Sequence, residues 1–176
     1  MPIYKYISEK YLARFVNNGE VLFSSLSFFQ RHEDATVRGD PYEGTRVFRP
    51  ADGLTVTKVR TSETFQLPMA FEATAQTDHI FIFCASMRLD LALAQEFQVD
   101  ACVEIVDLTA FVSRIRSALS RRPRVKLPKT LLHQAVTYYD RSTPPIVDWA
   151  LPEKIAFSKP MHYSHQEEYR FAFSVC

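Results

Sequence analysis

From His79 to Cys84 the chain reads His-Ile-Phe-Ile-Phe-Cys, a nearly unbroken apolar run. A strand of this kind has no face to give to water and needs cover on both sides. Ile3–Ile7 and Tyr169–Val175, rich in aromatic and β-branched residues, read as strands of the same fold. The cover comes from segments with helical spacing. Ser8 stands at an N-cap position before Glu9–Val16, where Tyr11, Leu12, Phe15 and Val16 share a face, and Asn17-Asn18-Gly19 ends the helix. Asp107 caps a second helix to about Leu119, with Phe111, Ile115 and Leu119 on one stripe. Leu89–Phe97 reads as a short third helix.

Val21–Ser25, Ala101–Val106, Val136–Tyr139 and Lys154–Ser158 read as further strands. Thr45–Phe48 and Leu54–Val59 suggest a hairpin closed by Pro50-Ala51-Asp52-Gly53. The result is about eight strands and three helices in mixed order, without a repeated βαβ unit. The expected class is α+β with antiparallel sheets, in a single domain over residues 1–176. A chain of 176 residues that is 47% hydrophobic supports a proper core and is not a disordered polymer.

Several chemistries drop out early. Four glycines leave no phosphate-binding loop or dinucleotide fingerprint. Cys84, Cys102 and Cys176 are far apart, so no disulfide framework or Cys-x-x-Cys is expected, and Cys84 in its apolar strand reads as a core residue. His162 and His165 have ligand-like spacing, but nothing nearby completes a metal set. No apolar run approaches membrane-spanning length and the N-terminus lacks a signal-peptide pattern, so a cytoplasmic location without membrane partners is expected.

Two features point to function. From Leu108 to Tyr139 the chain has no acidic residue, but it carries Arg114, Arg116, Arg121, Arg122, Arg124, Lys126 and Lys129, against a net charge of +1 for the whole chain. Such a window is a solvated surface or a footprint for RNA or DNA phosphates, with Arg121, Arg122, Arg124 and Lys126 as the candidate contacts. The second is Tyr163-Ser164-His165-Gln166-Glu167-Glu168-Tyr169-Arg170. Alternation puts Glu168, Arg170 and Ala172 on one face of the last strand and Tyr169, Phe171 and Phe173 on the other. Glu168 is then a candidate general base or a stabiliser of a developing cation, or a structural acid paired to Arg170 or a lysine.

The order of segments carries a resemblance. Ile3-Tyr4-Lys5-Tyr6 leads to a helix, Gly19 and Val21-Leu22-Phe23-Ser24-Ser25; Phe28-Phe29 opens a charged loop; Phe81-Ile82-Phe83-Cys84-Ala85-Ser86 ends in serine; Cys102-Val103-Glu104-Ile105 and Gln166-Glu167-Glu168-Tyr169-Arg170 follow. This order resembles an uncharacterised bacterial family met in phage-defence and abortive-infection contexts, itself distantly similar to mono-ADP-ribosyltransferases. The resemblance implies split antiparallel sheets with flanking helices, NAD as substrate, a protein or nucleic-acid target, and a toxin or defence role with a candidate antitoxin partner. Carried over residue by residue, Lys5 takes the first-strand NAD-contacting place, flanked by Tyr4 and Tyr6. Ser86 takes the nicotinamide-pocket place. Gln166-x-Glu168 supplies the catalytic glutamate and the contact to the incoming nucleophile. Lys5 departs from the family's Arg or His and offers a phosphate only a point charge.

Two other classes compete. A nucleic-acid-processing enzyme would use Glu33, Asp34 and Asp40 of the Gln30–Gly44 loop as metal carboxylates. That loop, with Arg31, Arg38 and Glu43, otherwise lines a substrate channel or is solvated. A non-catalytic module would use the basic window alone.

Overall fold

The fold is taken from a computed structural model that describes residues 1–32, 42–125 and 131–175. In chain order the elements are β1 (Ile3–Ile7), α1 (Glu9–Asn18), β2 (Ser24–Ser25), α2 (Leu26–His32), β3 (Thr45–Phe48), β4 (Leu54–Thr57), β5 (Thr64–Leu67), β6 (Phe71–Thr74), β7 (Ile80–Ser86), α3 (Leu91–Glu96), β8 (Ala101–Ile105), α4 (Leu108–Leu119), β9 (Leu132–Ala135), β10 (Thr137–Tyr139), α5 (Pro152–Ala156), β11 (Ser158–Pro160), a 3-10 helix (Met161–Gln166) and β12 (Glu168–Ser174). No helix among the described residues is long and apolar enough to cross a membrane.

The apolar strand β7 is the middle of the molecule. The main sheet runs β8-β1-β7-β12-β9, with the short β2 also paired to β7, and every pairing in it is antiparallel. Both faces of β7 and β12 are covered. On one face Ile3, Phe83, Ala85, Ile105, Tyr169 and Phe171 pack against Val112, Ile115 and Leu119 of α4. Phe15 of α1 stacks on Phe83 at 6.1 Å between centroids, and Phe111 of α4 meets Phe171 edge-on at 5.4 Å. On the other face Ile82 and Ala172 pack against Leu26 of α2, Ala156 of α5 and Phe157. The fold is therefore α+β with mostly antiparallel sheets, as the element order implies.

The caps show how local sequence sets the boundaries. Asp107 accepts a hydrogen bond from the Ala110 N–H at 2.9 Å, as an N-cap should. Gly19 ends α1 in the left-handed region at φ 67°. Ser8 occupies the N-cap of α1, but its side chain does not cap; the Glu9 N–H donates instead to Asp100 Oδ1 at 2.7 Å. Tyr11 and Val16 of that helix stay exposed, and its packing contacts come through Phe15.

Four expected elements need correction. Thr45–Phe48 does not form a hairpin with the segment after it: β3 pairs with β6, and β4–β5 form a hairpin of their own. The strands β5 and β6 are mostly exposed and lack the alternation that reveals a half-buried strand. Lys154–Ser158 is not a strand. Pro152 presets the first turn of a helix, α5, and only Ser158–Pro160 is extended, parallel to β10. Of Val21–Ser25 only Ser24–Ser25 pairs. Gln30–His32 belongs to α2 rather than to a loop, and residues 33–41, with Glu33, Asp34, Arg38 and Asp40, lie outside the described residues.

Gly44 closes the turn before β3 at φ 75°, and a Cβ there would collide with the Thr77 methyl group and sit 3.3 Å from Leu26 Cδ1. Gly19 has a similar φ of 67° with open space around it. Alanine at either position meets the left-handed penalty of about 1–2 kcal/mol. Gly44→Ala adds a clash, and urea denaturation should place its midpoint clearly below that of Gly19→Ala. Equal midpoints would show that the turn gives way without cost.

Candidate functional site

Adjacent strands bring two of the resemblance-derived positions, Ser86 and Glu168, to one level of the sheet. Tyr4 of β1 pairs in register with Ser86 of β7, and Ser86 pairs with Glu168 of β12. Paired residues share a face, so Tyr4, Tyr6, Ser86 and Glu168 point to the same side. Lys5 is one residue out of step and points to the other. Its ammonium donates to the Cys84 carbonyl at 2.8 Å and lies 4.6 Å from the centre of the Phe83 ring. The first-strand cation therefore does not converge with Ser86 and Glu168.

The two glutamates separate as expected, but through a left-handed residue at the end of the 3-10 helix and not through strand alternation. Glu167 is in the left-handed region at φ 42°, its side chain half in solvent and 4.0 Å from Arg88. Glu168 is buried. It is one of four buried charges among the described residues, with Glu43, Lys159 and Arg170. Arg170 Nη1 and Nη2 make a fork onto the two Glu43 carboxylate oxygens at 2.6 and 2.9 Å. Its Nε and Nη2 reach Glu168 at 2.7 and 3.2 Å, and Nη1 also donates to the Ala156 carbonyl at 2.8 Å. A guanidinium has five N–H donors, and all five are used. Lys159 donates to Gln166 Oε1 at 2.9 Å and to Glu168 Oε2 at 3.3 Å, with its ammonium 4.6 Å above the Tyr163 ring.

Two carboxylates and two cations make the cluster neutral, which is how charge is tolerated in a core. Burial alone would raise the Glu168 carboxyl, but Arg170 and then Lys159 outweigh it and hold the group well below the usual carboxylate range. Lys159 is likewise kept charged: burial would lower it, and Glu168 raises it further. The Cys84 thiol is pushed far up, by burial first and Glu168 second, so it stays protonated and is no thiolate nucleophile.

Gln166, carried over as the contact to the incoming nucleophile, does not face solvent. It is buried, and its amide nitrogen donates to Glu96 Oε1 at 3.0 Å. The Ser86 hydroxyl donates to the Gln166 carbonyl at 2.8 Å and accepts from the Arg88 N–H at 3.0 Å, tying the 3-10 helix to the end of β7. The Tyr6 hydroxyl donates to the Arg88 and Asp90 carbonyls at 2.9 and 3.1 Å and accepts from the Asp90 N–H. The Tyr4 hydroxyl donates to Glu104 at 3.3 Å.

Glu168 lies behind the wall of a groove rather than in its floor. Its backbone N–H donates to the Tyr138 hydroxyl at 2.8 Å, and the Tyr138 ring faces a cavity of about 370 Å³ lined also by Arg46, Phe48, Tyr139, Trp149 and Met161. Elsewhere, Arg114, Arg116, Arg121, Arg122 and Arg124 are all exposed along α4 and the turn after it, and none makes an ion pair among the described residues. Lys126 lies outside the described residues. Among the described residues no three His, Cys, Asp or Glu side chains gather as a metal group. No family model matches the chain, and neither the curated proteins nor the solved structures hold a significant match.

Sequence reasoning places Glu43 in a charged loop and gives Lys159 no role. The local signal for Lys159 is faint: a lysine following the apolar run Ile155-Ala156-Phe157.

Because its folded pKa is depressed, Glu168 contributes its full stability above the ordinary value of 4.5, and the contribution disappears as pH falls through that value and below. Stability measured by urea denaturation should therefore drop steeply on the acid side. Glu168→Gln strands Lys159 and should cost about 3–5 kcal/mol at pH 7, with a flatter acid limb. An unchanged acid limb in this variant would mean that other carboxylates set the acid sensitivity.

Proposed function

We propose that the chain is an NAD-consuming mono-ADP-ribosyltransferase, an effector of the toxin or phage-defence kind, centred on the end of β7 and β12. The observation that supports this is Ser86 paired in register with Glu168 on adjacent strands, two of the three family-derived positions; the third, Lys5, faces the other side of the sheet. In the reaction the bond from ribose C1′ to the nicotinamide nitrogen breaks, and its electron pair leaves with nicotinamide. The ribosyl cation is captured by a nucleophile of the target, whose proton passes to solvent. An anionic glutamate stabilises that cation electrostatically, and the pairing with Arg170 and Lys159 keeps Glu168 anionic. Both Glu168 oxygens are engaged, each by Arg170 and Oε2 also by Lys159, so access to the ribose requires these contacts to loosen.

Wild-type protein with NAD and cell extract should release nicotinamide without added metal and label a protein or nucleic acid. Glu168→Gln should lower turnover about 10²-fold or more, the effect of losing one electrostatic stabiliser; Glu167→Gln should be mild. Loss of stability is separated from loss of chemistry by the double variant Glu168→Gln/Lys159→Met. It restores the charge balance and should recover much of the stability while turnover stays low. A double variant as active as wild type, or a wild type inert toward NAD, would falsify this assignment.

The arginine row favours a second function, binding of nucleic-acid phosphates, either as the transferase's target or in a module without catalysis. Arg116 also lines a hollow of about 290 Å³ with Ser113 and His133. His133 is lowered by burial and then by Arg116, so it adds no positive charge at neutral pH. Replacing Arg121, Arg122 and Arg124 with Ala should flatten the slope of log affinity against log salt by roughly 0.7–0.9 for each phosphate no longer neutralised. Binding insensitive to salt, or no binding, reduces the row to a solvated surface.

A further inference from the structure

The groove in front of Tyr138 has the makings of a ligand site that Glu168 does not need. Its lining includes the aromatic residues Phe48, Tyr138, Tyr139 and Trp149, of which Tyr138 and Tyr139 are consecutive in β10 and turn their rings to opposite sides. An aromatic side chain at the edge of such a groove can hold a planar ring by stacking. Its volume, about 370 Å³, falls within the range of small-ligand sites, roughly 300–1,000 Å³.

The charges around it are unequal in what they have left to give. Asp140, on the lining, already accepts from the Ser142 backbone N–H at 2.8 Å and from the Ser142 hydroxyl at 2.7 Å. Asp148, the carboxylate whose field reaches Arg46, is paired with Lys154 at 3.4 Å. Arg46 itself stacks over the Tyr139 ring, its guanidinium carbon 4.9 Å from the centre, and its side chain makes no hydrogen bond or ion pair among the described residues. Partial burial pulls its pKa down, and the fields of Tyr139 and Asp148 offset only part of that. The unengaged charge at the groove is thus positive, and it stands beside aromatic side chains.

We infer that this groove binds a nucleoside monophosphate or the corresponding part of a larger nucleotide, with the base against Trp149 and its aromatic neighbours and the phosphate on Arg46. A guanidinium suits a phosphate because its planar N–H fork matches two phosphate oxygens. A bare aromatic acid would engage the arginine but fill less of the space.

Trp149 is the chain's single tryptophan, so its fluorescence reports on the groove alone. The full chain is titrated with AMP, adenosine, inorganic phosphate and benzoate, with excitation selective for tryptophan. AMP should change the signal saturably; adenosine should bind at least about 10-fold more weakly, since a charge-assisted hydrogen bond is worth roughly 1.5–3 kcal/mol, and phosphate and benzoate, which keep the charge but lack the stacked base, should bind about 10-fold more weakly because base stacking is worth roughly 1–3 kcal/mol. Arg46→Gln should weaken AMP about 10-fold or more by the same principle and leave adenosine unchanged, with folding checked by circular dichroism. Three results overturn the inference: adenosine binding as tightly as AMP, benzoate matching AMP, or no saturable change with AMP in wild type. The wild-type comparison stands even where Arg46→Gln fails to fold. AMP has no nicotinamide bond, so a failure here is distinct from a failure to consume NAD.

Discussion

A guanidinium in a protein core is tolerated only when every N–H finds an acceptor, and the arrangement around Arg170 follows from that requirement. The acceptors come from three places in the chain. Glu168 is two residues away on the same strand, the Ala156 carbonyl is at the end of α5, and Glu43 is 127 positions distant in sequence. Satisfying Arg170 therefore fixes the turn before β3 and the end of α5 against the final strand. Lys159 completes the balance and brings β11 and the 3-10 helix with it. The polar cluster thus organises the face of the sheet that the second apolar core only partly fills.

The two faces of β12 divide the labour. Tyr169 and Phe171 belong to the larger apolar core under α4, while Glu168 and Arg170 point to the opposite side. Stability can rest on the aromatic side, where Phe171 meets Phe83, Phe111 and Tyr169 edge-on. Charge, hydrogen-bonding capacity and the neighbouring groove lie on the other. A carboxylate held this firmly anionic suits the stabilisation of positive charge far better than proton abstraction, because a group with so depressed a pKa is a weak base.

Much of the main sheet is legible in the sequence because its strands are either continuously apolar, as in Ile80–Ser86, or framed by strong signals such as Asp107 and Gly19. The exposed hairpins are not. Thr64–Leu67 and Phe71–Thr74 have no buried face to impose a pattern, so the partner of Thr45–Phe48 has no local signature. Pro152 misleads in a different way. The apolar residues after it resemble a strand, while the proline itself presets a helical turn. At the site, alternation places Glu168 with Arg170 on one face of the last strand, while Glu167 is turned away by a left-handed backbone that the sequence does not announce. Alternation also dictates that Lys5 face away from Ser86, a consequence visible once the strand register is known. The remote partner Glu43 is beyond any local rule, because the contact is made by topology.

The neutral quartet also constrains how such a chain can vary by descent. Losing one of Glu43, Lys159, Glu168 or Arg170 leaves an odd charge in the core, whereas exchanging an acid and a base together does not. Substitutions at these four positions should therefore travel as opposite-signed pairs. A sequence drifting away from this one crosses a barrier at the first step and regains its footing at the second.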